Sequence, residues 1–217
     1  MNKKKVTIMA TAAYAPIIVS IISLSTFVLD PVATQWLRYQ RTSIEQGEYW
    51  RLVTGHLCHL GDMHLLFNLL GMWLVTLLLH QVLRSHTWLL VFGFSLLGTS
   101  IGLWFFSPEV IGYVGLSGAL HGLVVAGGIL DLRNLFFSNV ILLVGVFGKI
   151  IWEHTSYYSN SMSELIGGHV LVDSHLYGAL AGVLIGSILL MKQINHHRVT
   201  SDLADRNEQQ RCKKRKA

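Results

Sequence analysis

The sequence predicts an all-α membrane protein, a bundle of six transmembrane helices with both termini in the cytoplasm. Of its 217 residues, 52% are hydrophobic and only 13% are charged, whereas soluble domains carry roughly 25% charged residues. The mean hydropathy is +0.48. The charged residues fall in short stretches that separate long uncharged segments. This pattern is typical of a chain that crosses a bilayer several times.

The distribution of lysine and arginine predicts the orientation. With six spans, the side that holds both termini carries thirteen basic residues: Lys3, Lys4, Lys5, Arg84, Arg133, Lys192, Arg198, Arg206, Arg211, Lys213, Lys214, Arg215 and Lys216. The other side carries Arg38, Arg41 and Arg51, and Lys149 lies within the fifth span. Positive residues remain on the cytoplasmic side, so both termini are expected there. The net charge of +5 is thereby explained by topology, and we expect no nucleic-acid partner.

The uncharged segments predict the spans in order. Residues 1–7 are a basic cytoplasmic N-terminus, and the first span is expected at Ile8–Leu29. It is interpreted as a retained helix because no clear signal-peptide cleavage site follows it. The remaining spans are expected at 64–83, 87–106, 115–130, 135–152 and 175–194. Residues 8–194 thus form one six-helix domain, and 195–217 a basic cytoplasmic tail.

Two segments depart from a plain span-and-turn pattern. The fourth span, Gly115–Leu130, would be about 24 Å long against a hydrocarbon core of about 30 Å. One of its ends is therefore expected below the membrane surface, in a wet or protein-lined recess. The loop Asp30–Met63 mixes aromatic and charged residues, which suits the membrane–water interface. A loop of this length is usually structured and often functional.

Three polar side chains are predicted at a similar depth. His64, Ser117 and His175 stand at or near the outer ends of the second, fourth and sixth spans, which run in the same direction. Hydrolysis of an amide needs a nucleophile, a base and donors to the oxyanion. Ser117 can be the nucleophile and His175 the base. His64 and Asn68 are four residues apart, so both can point at one oxygen, and backbone amides at the helix start add positive character.

Glycine spacing predicts that the fourth and sixth spans meet. Gly178, Gly182 and Gly186 form a stripe on the sixth span, and Gly118 and Gly122 form a pair on the fourth. Small residues at such spacing let two helices approach closely in lipid. Close packing of these two helices would bring His175 to Ser117.

The chain resembles the rhomboid intramembrane serine proteases. The matching pieces are Trp50-Arg51, His64-Leu65-Leu66-Phe67-Asn68, Gly115-x-Ser117-Gly118 and His175-x-x-Gly178, in the family's order between about Gly47 and Leu190. The resemblance implies that Ser117 and His175 form a catalytic dyad without an aspartate. It also implies that His64 and Asn68 stabilise the oxyanion, with Gly115 and Gly118 as supporting residues. Residues 8–194 would then be the catalytic domain.

One departure narrows the resemblance. Common rhomboids have a tyrosine four residues after the serine, and this chain has His121. Ser117-Gly-x-x-His121-Gly, with Lys149-x-x-x-Glu153 and Val172-Asp173-x-His175-Leu176-Tyr177-Gly178, is similar to the rhombosortase branch. Members of that branch are thought to cleave C-terminal diglycine sorting tails from exported proteins in Gram-negative bacteria. The resemblance implies membrane-anchored protein substrates, diglycine-type tails among them, and a multi-pass protein of the bacterial inner membrane.

Several roles stay open at this point. His121 is expected to support the site, by packing on His175 or by binding water. Asp173 could orient His175 as in a triad, although an N-cap of the sixth span is favoured. Lys149 and Glu153 form either an i, i+4 ion pair or a substrate-recognition site.

No metal and no cofactor are expected. A histidine-rich stretch around the second span has neither the HExxH pattern nor paired Cys-x-x-Cys spacing; its members are His56, Cys58, His59, Asp62 and His64. These histidines are interpreted as residues near the membrane interface. The alternative function is a catalytically silent rhomboid-like protein that binds transmembrane helices. The presence of both Ser117 and His175 favours the protease.

Overall fold

The structure, a computed structural model, is mostly helical and describes residues 3–155 and 161–216. Residues 1–2 of the predicted N-terminus, residues 156–160 between the fifth and sixth predicted spans, and residue 217 of the tail lie outside the described residues. The helices are α1 Lys3–Val28, α2 Val32–Leu37, α3 Arg41–Glu45, α4 Arg51–Thr54, α5 Asp62–Leu78, α6 Ser85–Phe106, α7 Ser117–Asp131, α8 Phe136–Glu153, α9 Ser161–Ile166 and α10 Val172–Lys216, with a 3₁₀ turn at Gly55–Leu57. Two short strands, β1 Tyr39–Gln40 and β2 Gly112–Tyr113, complete the fold.

Each of the six predicted spans overlaps one helix, namely α1, α5, α6, α7, α8 or α10. Among the described residues, α6, α8 and the part of α10 up to Thr200 are each long and apolar enough to cross a membrane alone. A fourth span results if α4, its 3₁₀ turn and α5 are taken together across their 96° bend. The apolar part of α1, Ala13–Val28, and α7 are shorter. The prediction that the segment Gly115–Leu130, now helix α7, is short is thus confirmed.

Helix α7 is the centre of the bundle. Most of its side chains are buried, and α10 and α6 pack along it. Leu123 and Val125 of α7 contribute to a core that also contains Trp88 of α6. Helix α7 can be short because protein rather than lipid surrounds it.

The outer helices present apolar side chains outward, as expected where lipid replaces water. On α8, Phe137 and Ile141 are 81% and 72% exposed. The buried residues of α8 are Asn139 near its start and Ile150 and Glu153 near its end. The partly buried side chains of Leu142, Leu143, Val146 and Phe147 also pack against the core, so the middle of α8 contacts the bundle as well as its two ends.

The loop between α1 and α5 is folded, as predicted from its length. Strand β1 pairs antiparallel with β2, with Tyr39 opposite Tyr113. The Arg41 guanidinium donates hydrogen bonds to the carbonyls of Leu103 at 2.8 Å and Val110 at 3.1 Å. The position of this loop at the membrane interface stays a prediction, and Arg41 is buried within the protein. Backbone carbonyls at the end of α6 satisfy its charge.

Arg51, in the Trp50-Arg51 pair, is buried as well. It donates hydrogen bonds to the backbone carbonyls of Gln35 and Arg38 and to the Glu48 carboxylate. Its neighbour Trp50 is 49% exposed, which fits a position at the membrane interface. Arg41 and Arg51 thus hold the loop together. Trp36, Tyr49 and Trp50 face outward, whereas Tyr39 is buried.

Candidate active site

Ser117 stands at the first position of α7, directly after a sharp turn. Gly115 has φ +113°, and a side chain there would lie 2.6 Å from Cε1 of His64, so only glycine fits. The Tyr113 hydroxyl donates a hydrogen bond to the Gly115 carbonyl at 2.7 Å. Burial raises the pKa of Tyr113 to about 12, so this donor stays protonated. Strand β2 and Gly115 together fix where α7 begins and where its serine is presented.

Glycine contacts press α10 against α7. A Cβ on Gly178 or Gly182 would overlap the backbone of Gly118 or Gly122, and one on Gly186 would lie 2.9 Å from the Cα of Ala126. The close approach predicted from the glycine stripe is confirmed. Gly118 also touches the start of α10, since a Cβ there would lie 2.8 Å from the Ser174 carbonyl.

This packing brings His175 to Ser117. The Oγ of Ser117 lies 3.0 Å from Nε2 of His175, which is hydrogen-bonding distance. His175 is buried, and Ser117 is partly exposed. The pair therefore has the geometry of a nucleophile beside a base.

The other nitrogen of His175 contacts Glu153. Nδ1 of His175 lies 2.8 Å from Oε2 of Glu153, and both side chains are 5% exposed. Oε1 of the same carboxylate lies 2.5 Å from Nζ of Lys149. The i, i+4 ion pair foreseen as one alternative is present, and the contact with His175 was not foreseen.

His121 lies against the face of His175. The two rings stack with centroids 4.1 Å apart. Nδ1 of His121 donates to the Ser117 carbonyl at 2.8 Å, and Nε2 lies 3.3 Å from Nζ of Lys149. His121 is thus held at both nitrogens and restricts the ring of His175.

Asp173 does not contact His175. Its carboxylate accepts a hydrogen bond from the Ser107 hydroxyl at 2.7 Å and lies 3.3 Å from Nε2 of His154. Helix α10 begins at Val172, so the favoured N-cap position is also wrong. Sequence proximity to His175 was misleading because the first turn of a helix points its side chains in different directions.

His64 and Asn68 lie beside the serine turn on α5. The Leu60 amide donates to Nδ1 of His64 at 3.2 Å, so the proton of a neutral His64 is on Nε2. Nδ2 of Asn68 donates to the His64 carbonyl at 2.9 Å and carries a second N–H. A Cβ on Gly115 would lie 2.7 Å from Nε2 of His64 and 3.7 Å from Nδ2 of Asn68. Two donors therefore flank the segment that leads into Ser117.

Two cavities open onto this place. The first, of about 490 Å³, lies between α5 and α8; its lining includes Ser117, His175, Asn68, Val146 and Trp152. The second, of about 350 Å³, lies on the side of the folded loop, and its lining includes Arg38, His59 and Ser117. Ser117 and His64 line both cavities. An apolar space and a more polar space thus meet at the serine.

The donor atoms of His121, Glu153 and His175 lie within 4.8 Å of one another and are chemically able to bind a metal. The ammonium of Lys149, however, already contacts both Glu153 and His121. A metal ion would have to displace this cation.

The histidine-rich stretch before α5 does not converge on one point. His56 is buried with Nε2 2.9 Å from the Ser100 hydroxyl, and His59 is buried against the ring of His64. The Asp62 carboxylate accepts from the amide of Met63. His56 and His59 are buried within the protein, and their position near the membrane interface stays a prediction.

The helical bundle has apolar outer faces, and its buried His175 meets Ser117 where two open cavities join. These features define the class of membrane proteins that carry the side chains of a serine hydrolase. The sequence profile of the Rhomboid domain family matches residues 46–192. This segment contains α4 to α9 and residues 172–192 of α10, which include the glycines that pack on α7. The chain belongs to the rhomboid family, and it is an intramembrane serine protease.

Two curated relatives come from Bacillus subtilis (strain 168). The chain is 29% identical over 155 residues to "Putative rhomboid protease YdcA", an alignment that covers 69% of this chain and 72% of the relative. It is 36% identical over 141 residues to rhomboid protease GluP, covering 59% of this chain and 26% of that longer protein.

Proposed function

We propose that this chain cleaves membrane-anchored proteins with Ser117 as nucleophile and His175 as general base. The observation that carries the proposal is the 3.0 Å contact between Oγ of Ser117 and Nε2 of His175. The contact occurs at the junction of an apolar and a more polar cavity. A transmembrane segment can enter the apolar space, and water can reach the serine from the other side.

The reaction begins when Oγ of Ser117 attacks the scissile carbonyl carbon. Nε2 of His175 takes the hydroxyl proton, and the carbonyl oxygen becomes an oxyanion. Nε2–H of His64 and the second N–H of Asn68 are the proposed donors to this oxyanion. Collapse of the tetrahedral intermediate breaks the C–N bond, and His175 protonates the leaving amine. Water, deprotonated by His175, then hydrolyses the ester on Ser117 and releases the acid product.

The proposed topology has six spans and cytoplasmic termini. It is supported by the six helices that overlap the predicted spans and by the distribution of basic residues, which favours the cytoplasm for both ends. In this orientation Ser117 lies toward the outer side of the bacterial inner membrane. Exported proteins anchored in that membrane are then the accessible substrates.

We further propose a rhombosortase-like preference for diglycine-type C-terminal tails. The support is the Ser117-Gly-x-x-His121-Gly pattern, together with Lys149 and Glu153 at the site. Glycines have no side chains that could clash with the site. A diglycine segment can therefore approach Ser117, which is only partly exposed.

Co-expression with a membrane-anchored reporter that carries a diglycine tail tests this function. Wild-type protein should shorten the reporter, and Ser117→Ala should leave it intact while inserting normally, because only one hydroxyl is lost. A matched reporter with two valines in place of the glycines separates protease activity from tail preference. Equal cleavage of the reporter by the Ser117→Ala variant would overturn the serine mechanism.

A further inference from the structure

The carboxylate of Glu153 joins two groups of the site. Its Oε2 lies 2.8 Å from Nδ1 of His175 and its Oε1 lies 2.5 Å from Nζ of Lys149. We propose that Glu153 is a positioning residue that completes a Ser117–His175–Glu153 triad, with Lys149 as the counter-ion of the carboxylate. This inference rests on the proposed function of Ser117 and His175.

The hydrogen bonds have only one consistent direction. A carboxylate paired with an ammonium can only accept, so Nδ1 of His175 must donate to Glu153. A neutral imidazole that donates at Nδ1 carries its lone pair at Nε2. Nε2 of His175 is then the acceptor that faces the Ser117 hydroxyl. Glu153 therefore selects the tautomer that can act as a base.

The same contact favours the charged form of the base. When His175 takes the serine proton it becomes an imidazolium, inside a part of the protein where both it and Glu153 are 5% exposed. A carboxylate at 2.8 Å stabilises this cation with a charge-assisted hydrogen bond. In the serine protease triad an acidic residue has this orienting and stabilising role.

Lys149 lowers the energetic cost of burying the Glu153 carboxylate. An unpaired carboxylate in a low-dielectric interior is costly. The side chain of Lys149 is 49% exposed, so its ammonium remains partly hydrated while it contacts Glu153. The same ammonium donates to Nε2 of His121, whose ring stacks on His175. His175 is thus held at its edge by Glu153 and at its face by His121.

A simple ion pair between Lys149 and Glu153 explains fewer of the observed contacts than the triad does. An i, i+4 pair on one helix uses one carboxylate oxygen, whereas the second oxygen of Glu153 reaches His175 on another helix, 22 residues away. The other nearby acid, Asp173, contacts Ser107 and His154 instead. Asp173 therefore provides a matched control.

The test compares the steady-state kinetics of purified full-length variants on one membrane-anchored substrate. Glu153→Gln keeps the side-chain size but can donate to Nδ1 and impose the wrong tautomer. By analogy with the acid of the serine protease triad, whose amide variant loses about 10⁴-fold in kcat, we expect kcat to fall by ~10²–10⁴-fold with KM unchanged. Asp173→Asn should keep kcat near that of the wild type.

The double variant Lys149→Met with Glu153→Gln separates positioning from structural support. It leaves no buried charge without a partner, so recovery of kcat would mean that Glu153 serves only to pair with Lys149. Our account predicts that kcat stays low in a protein that inserts and unfolds like the wild type. If Glu153→Gln has wild-type kcat while Ser117→Ala is inactive, the triad is wrong and the proposed function stands. If Ser117→Ala is active, the proposed function itself fails.

Discussion

Gly178 of α10 lies directly against the backbone carbonyl of Gly118 of α7, with no room for a side chain between them. Gly118 follows Ser117, and Gly178 is three residues after His175. The distance between the nucleophile and the base is therefore set by backbone-to-backbone packing one turn or less from the site. Such a contact is rigid because neither partner has a rotamer with which to adjust.

A larger residue at Gly182 should reduce activity although it touches no reacting group. A Cβ there would overlap the backbone of Gly122, so the helices must separate, and ~1 Å of misplacement can cost about 100-fold in rate. We expect Gly182→Leu to lose most activity. Gly182→Ala should also be impaired, because its methyl group meets backbone.

Cleavage rates are compared at equal membrane insertion, with Gly145→Ala as control, since Gly145 has open space around it. Wild-type turnover by an inserted Gly182→Leu protein would mean that these glycines do not set the distance.

Loss of the proposed oxyanion donor on Asn68 should lower kcat. One such donor is worth about 10²–10³-fold in kcat, so Asn68→Ala is expected to fall in this range with a smaller change in KM. Asn68→Asp has the same size but cannot donate when ionised and would repel the oxyanion. It should be at least as impaired as the alanine variant. An Asn68→Asp enzyme with unchanged kcat would show that Asn68 does not contact the oxyanion.

Arg41 is predicted to stabilise the folded loop. Its guanidinium binds several carbonyls at once, among them those of Leu103 and Val110, and lysine lacks the planar fork that does so. Hydrogen bonds to charged groups contribute about 1.5–3 kcal/mol each, so Arg41→Lys should lower the free energy of unfolding by about 2 kcal/mol or more. Thermal unfolding in detergent measures this, with the exposed Arg84→Lys as control. Equal midpoints for both variants would contradict the assignment.

Reporter fusions test the proposed orientation. A reporter placed after Lys192 should be active on the cytoplasmic side, and one inserted in Glu153–Ser174 should be active on the outer side. These positions flank the apolar part of α10 and therefore report the direction of the helix that carries His175. The reverse pattern would invalidate the orientation of α5, α7 and α10 together.

The main parts of the site could be predicted from sequence because each depends on local spacing. The glycine stripe on α10 and the pair on α7 predicted which helices meet, and the i, i+4 spacing of His64 and Asn68 predicted their shared face. The direction and depth of the helices stay predictions from the basic residues and the length of the uncharged segments.

Contacts between distant segments could not be predicted in this way. The pairing of β1 with β2, two residues each, has no periodicity long enough to detect. The hydrogen bonds of Arg41 could not be predicted because its partners are backbone carbonyls, which carry no side-chain signal. For Glu153, the i, i+4 spacing predicted the contact of one carboxylate oxygen with Lys149. The contact of the other oxygen with His175 depends on how α8 is rotated against α10.

The central claim is that Ser117 is a nucleophile activated by His175. A fluorophosphonate probe forms a covalent adduct only with an activated hydroxyl, and mass spectrometry of the digested protein locates it. Membranes containing the wild-type protein should give one adduct, on the peptide that carries Ser117, and both Ser117→Ala and His175→Asn should give none. An adduct of equal yield in the His175→Asn protein, or a proteolytically active wild type without any adduct on Ser117, would contradict the account.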